Sequence, residues 1–151
     1  MPYLKVEPEE AVQILDRLVI KAYRIKIWIE NGHDEYQRNA KWTENSRVIE
    51  SIQEWQKTLS GWFQEAESDL LKTYVSPRES YNFGTLTFAE YTNSDAEYKN
   101  LLSDIDAKIA ILNKHIDFIF DRFNIKITVQ AGRDANIQTG RNAVMEVKNE
   151  N

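Results

Sequence analysis

Any chemistry in this chain would have to come from a small set of side chains. Among its 151 residues are two histidines, His33 and His115, and no cysteine. A thiolate nucleophile, a thiolate zinc site and a disulfide framework are therefore excluded, a composition that suits a reducing cytoplasm. His33 stands beside Asp34 and Glu35, and His115 lies near Asp117. Zinc takes four nitrogen or sulfur ligands in structural sites and usually three protein ligands in catalytic ones, which two distant histidines do not supply. His33 is expected in a loop after Gly32, and His115 on a helix flank beside the apolar Ile116. No serine occupies a Gly-x-Ser-x-Gly elbow, and no glycine-rich phosphate loop is present. Asp104 and Asp106 fall two apart on a predicted helix and point in different directions, as on a solvated face. The reading is a non-enzyme, with no catalytic, cofactor-binding or metal residues assigned and no cofactor.

Charge narrows the partners. The net charge of −5 argues against a general nucleic-acid binder. The opening residues do not read as a signal peptide, and no apolar run approaches the roughly 18 to 20 residues a spanning helix needs, so a soluble protein is expected. Arg17, Lys21 and Arg24 make a basic row at helical spacing, with Lys26 nearby and Trp28 at its end. Beside a broad apolar face such a row suits binding to anionic lipid. The alternative is a cationic solvent face on an acidic protein.

The tail carries a different signal. Val129-Gln130-Ala131-Gly132-Arg133-Asp134-Ala135-Asn136 is followed at once by Ile137-Gln138-Thr139-Gly140-Arg141-Asn142-Ala143-Val144, so one eight-residue unit occurs twice. Each unit has a strand-then-turn pattern, and tandem β units stack. Two copies are too few to bury a core, so the tail is completed by copies from other chains or stays disordered. In a stack, Gln130, Gln138, Asn136 and Asn142 form amide ladders while Val129, Ile137 and Val144 pack in a dry seam.

Three helices are expected to carry these residues, near 8–31, 46–74 and 94–123. Pro8-Glu9-Glu10 suits a first helical turn, and Asn31-Gly32 reads as the stop. Between them Ala11, Ile14, Leu15, Leu18, Ala22, Ile25 and Ile29 form one apolar stripe. Val12, Val19, Ile20, Ile27 and Trp28 widen it, either to meet two neighbours or for another use. Residues 33–45 read as a loop or short turn. In the second helix Val48, Ile52, Trp55, Leu59, Trp62, Ala66 and Leu70 form a near-heptad seam interrupted by Gly61, a residue there for close approach of another helix or simply tolerated. Residues 76–93 read as a long loop whose Tyr81, Phe83, Phe88 and Tyr91 tuck under the helix ends as a satellite core, the alternative being a ligand pocket or an unrecognised enzyme site among them. Ser94 and Glu97 have capping-box spacing, and Tyr98, Leu102, Ile105, Ile109, Leu112, Ile116, Ile119 and Phe123 form the cleanest heptad. The second and third helices are expected to pair antiparallel across the loop. At Ile125-Lys126-Ile127-Thr128-Val129 the apolar period changes to two. The fold class is all-α, an antiparallel bundle of three or four long helices over residues 1–124, with a short C-terminal β-repeat tail over 125–151.

Val129-Gln130-Ala131-Gly132 and Ile137-Gln138-Thr139-Gly140 resemble the V/I-Q-x-G core of RIP homotypic interaction motifs and of bacterial amyloid signalling motifs. The stretch from Gly132 to Gly140 also looks like a filamentous-haemagglutinin β-helix unit. The resemblance covers about the last quarter of the chain. It implies a helical effector or adaptor, clustered by seeded stacking in regulated cell death or antiviral defence, with itself and a signalling receptor carrying a matching motif as partners. Ala131 and Thr139 depart from the Val, Ile or Leu that the eukaryotic motifs prefer, and a less apolar seam leaves a small oligomer as the alternative to a fibril. The body, through Trp55, Leu59, Trp62, Phe63 and its aromatic loop, is loosely similar to helical domains of bacterial conflict systems. Val129, Gln130, Gly132, Ile137, Gln138 and Gly140 are the self-assembly candidates, and Arg17, Lys21, Arg24 and Trp28 the lipid-binding ones, the membrane being engaged after clustering. The rival reading is a constitutive helical homo-oligomer with a structural role and a passive tail.

Overall fold

Apolar stripes on three long helices decide the architecture. The computed structural model describes residues 3–38, 46–84, 94–123 and 125. In chain order these form α1 (Pro8–Arg38), α2 (Ser46–Thr73), the short α3 (Arg78–Tyr81) and α4 (Ser94–Arg122). On α1 Ala11, Ile14, Leu15, Leu18, Ala22 and Ile29 are buried, and so are Val12 and Val19. The wider face is required because α1 packs against both α2 and α4. Ile52, Trp55, Leu59, Trp62, Ala66 and Leu70 of α2 and Leu101, Ile105, Ile109, Leu112, Ile116 and Ile119 of α4 complete the same core. Leu102, expected in the seam, is only partly buried, and Leu101 takes the inner position. The described residues thus form an all-α bundle; the expected β tail, apart from Ile125, lies outside them.

Side-chain pairs give the helix directions. The Trp62 indole N–H donates to the Leu18 carbonyl (3.0 Å), and Lys21 pairs with Glu65 at 2.7 Å. Farther along, Gly32 faces Trp55, so numbers rise on α1 as they fall on α2. Lys26 pairs with Asp106 at 2.8 Å, and the His33 ring stacks on Tyr98 with centroids 3.6 Å apart. Helix α1 is therefore antiparallel to both neighbours. Between α2 and α4 the Gln56 amide donates to the Glu97 carboxylate, and the Tyr74 hydroxyl meets His115; both numbers rise together, and these helices run parallel. The expected antiparallel pairing across the loop is corrected here. The described part of the connection, residues 78–84, runs back along α2. The Ser80 hydroxyl donates to the Glu67 carbonyl at 3.0 Å, and Phe83 lies fully buried against Trp62 and Phe63, with centroids 6.1 and 5.2 Å away.

Helix α1 does not stop at Asn31-Gly32 but continues to Arg38, a second correction. Glycine ends a helix when its backbone turns left-handed, whereas here it serves packing. A Cβ on Gly32 would lie 2.8 Å from Cζ2 of the buried Trp55 ring. Gly61, the expected site of close approach, has nothing within 4 Å of a Cβ position. A strap ahead of α1, which no sequence pattern announces, completes the described fold. Leu4 forms an antiparallel bridge with Tyr74, framed by Lys5 N–H to the Thr73 carbonyl (2.7 Å) and Val75 N–H to the Tyr3 carbonyl (2.8 Å). Among the described residues no helix is long and apolar enough to cross a membrane.

Candidate functional site

The basic row lies along the seam between α1 and α2. Lys21 and Arg24, with Ile25, Lys57, Gly61 and Trp62, line a groove of about 780 Å³. Trp28, 41% exposed, lines a second groove of about 330 Å³ beside Trp55. Arg17, Lys21, Arg24 and Trp28 are thus brought into one row, as helical spacing requires. Acidic groups of α2 stand opposite part of it. Lys21 holds Glu65, and the Asp69 carboxyl, raised by burial and by Glu65, feels Lys72, Arg17 and Lys21 pulling it down. Charge complementarity across a helix pair accounts for the Arg17 and Lys21 end. Arg24 and Trp28 face the open grooves, with Glu54 lining both.

The two histidines are far from a shared site. His33 belongs to α1, with Nδ1 3.9 Å from Asp34 and its ring on Tyr98, which corrects its expected loop placement. His115 Nδ1 lies 2.8 Å from the Tyr74 hydroxyl. Burial lowers its pKa against an opposing pull from Glu79, and burial, with Glu79 adding to it, raises that of Tyr74. Among the described residues no three His, Asp or Glu side chains gather as a metal would require.

Comparison with family models, curated proteins and solved structures finds no match to this chain.

Lys108 is a polar group that the apolar periodicity of α4 does not single out. Its heptad position, three residues after Ile105 and four before Leu112, puts it on the inner face of α4, where it is 8% exposed. The ammonium lies 5.6 Å from the ring centres of both Phe63 and Phe83, within cation–π range. Burial lowers its pKa while Asp104 opposes the shift. Gly84, at φ +88°, leaves room for it, since a Cβ there would be 3.1 Å from Nζ. Lys108 thereby ties the returning segment to both α2 and α4. Phe83 joins the main core against the middle of α2 rather than a satellite under the helix ends, and Tyr81 is 85% exposed; Phe88 and Tyr91 lie outside the described residues. So do the assembly candidates Val129, Gln130, Gly132, Ile137, Gln138 and Gly140.

Proposed function

We propose that this protein is a non-enzymatic effector or adaptor that self-associates through its tandem V/I-Q-x-G tail, with itself and a receptor bearing a matching motif as partners. The observation that carries the reading is the repeat: two copies of one strand-forming unit cannot bury their own faces, yet can add to identical units from other chains. The resemblance of those units to signalling motifs points to bacterial defence or regulated cell death in the cytoplasm. Supporting it is the use of the helical seams. Ile52, Leu59, Leu70, Ile105, Leu112 and Ile116 are fully buried within one chain, so these residues are not available to drive the rival constitutive oligomer. Membrane engagement by Arg17, Lys21, Arg24 and Trp28 after clustering belongs to the same proposal. The test compares the full chain with a Gln130→Asp/Gln138→Asp variant by light scattering and thioflavin fluorescence. Like charges about 4.8 Å apart along an in-register stack should abolish assembly. Equal assembly in both would refute the reading.

A further inference from the structure

The groove of about 780 Å³ between α1 and α2 has an apolar floor and a charged rim. Trp62 and Ile25 form the floor. The Trp62 ring is 4% exposed and is held by its N–H donating to the Leu18 carbonyl at 3.0 Å, while Ile25 packs partly buried against the core. At one end of the rim Lys21 and Glu65, 2.7 Å apart, neutralise one another. The other charges are Arg24 on the α1 wall and Lys57 and Glu54 on the α2 wall, two cations against one carboxylate.

Gly61 lines the same groove. A glycine inside a helix costs about 1 kcal/mol relative to alanine, a cost that close packing justifies at Gly32. At Gly61 a Cβ would stand in open space, so what the glycine provides is room: the α2 wall is cut back to backbone over the floor. The lining spans residues 54–65 of α2, about 16 Å of helix at the standard rise. A long apolar trough with a cation on each wall, and with a volume in the range of small-molecule sites, fits a slender apolar body that carries one anionic end.

We propose that this groove binds a single-chain anionic amphiphile, with its head between Arg24 and Lys57 and its chain over Gly61 and Trp62. Charge complementarity selects the head, and the absent side chain at Gly61 admits the chain. The stems of Arg24 and Lys57 cover further methylenes while their charges reach the head. One molecule is taken up by one chain, so binding needs neither tail assembly nor a bilayer, and it stands apart from the function proposed above.

Calorimetric titration of the full chain carrying Gln130→Asp and Gln138→Asp, with each ligand below its critical micelle concentration, tests this. Octyl, nonyl and decyl phosphate should bind one per chain, each added methylene tightening binding about fourfold. Decanoate beside decyl phosphate shows which anionic head the two cations prefer. Decyltrimethylammonium, the same chain with the opposite charge, should bind about tenfold more weakly or worse. Gly61→Leu, which fills the trough, should weaken decyl phosphate binding about tenfold, with circular dichroism and thermal melting confirming its fold. Arg24→Glu/Lys57→Glu, at two exposed positions, leaves the trough open and should invert the preference between phosphate and ammonium. Equal binding of the phosphate and ammonium ligands, no gain with chain length, full binding by folded Gly61→Leu, or a preference that charge reversal does not invert would each overturn the proposal. Amphiphile binding without vesicle binding would remove the membrane reading and leave this one standing.

Discussion

His115 shows what one buried titratable group does to the bundle. Its pKa is lowered in the fold, chiefly by burial, so between that lowered value and the ordinary value near 6.5 the unfolded chain binds a proton that the folded chain resists. The stabilisation is present above about pH 6.5 and is lost as pH falls through this window. Urea unfolding from pH 7.5 to pH 5 should show stability declining by at most about 1.4 kcal/mol per pH unit for this one proton. His115→Gln, which can still accept from the Tyr74 hydroxyl, should remove that part of the slope. An unchanged pH dependence would show that His115 is not its source. The two glycines make a paired test at the same scale. Gly32→Ala drives a methyl into the buried Trp55 ring, an overpacking that should cost about 1–3 kcal/mol. Gly61→Ala meets open space on a helix and should stabilise by about 0.5–1 kcal/mol. Thermal melts of both variants check the signs, which are opposite to those expected had Gly61 been the packing residue.

At the scale of the element, α1 presents a basic row whose parts have different surroundings. The Lys21–Glu65 pair is about half exposed and adds little to stability, but together with Asp69 it gives the row a neighbour within the chain. Arg24 and Trp28 border open grooves, and Ile27 is 53% exposed. If the row binds anionic lipid, wild type should co-sediment with phosphatidylserine vesicles and Arg17→Glu/Lys21→Glu/Arg24→Glu should not, with unchanged helical circular dichroism. Equally poor sedimentation of both would end the lipid proposal. Helix α4 departs from its apolar period in one respect. That period puts Leu102 on the inner face, whereas Leu101, Ile105, Lys108 and Leu112 form the inner row. A lysine at a core-facing position interrupts an apolar pattern in the sequence, yet its stem packs along the core while two phenylalanine rings receive the charge.

At the scale of the whole molecule, parallel α2 and α4 demand a connection that travels back along the bundle. Phe83, Ser80 and Lys108 fasten it there. The apolar seams close inside one chain, so the Gln130→Asp/Gln138→Asp variant should sediment at the mass of a single chain. A stable dimer of that variant would instead favour the constitutive oligomer. The three long helices, the Pro8 start, the end of α2 near Tyr74 and most of the core were determined by the sequence alone, because apolar period and backbone rules act locally. The tandem repeat and the basic row are legible in the same way. Only tertiary structure decided that Gly32 lies inside a helix, since its reason is the Trp55 ring across the seam. Tertiary structure likewise decided the parallel course of α2 and α4, because residues 78–84 pack on α2 through side chains whose partners are far away in sequence. The strap's bridge to Tyr74 depends on the same kind of distant pairing, which no local pattern encodes.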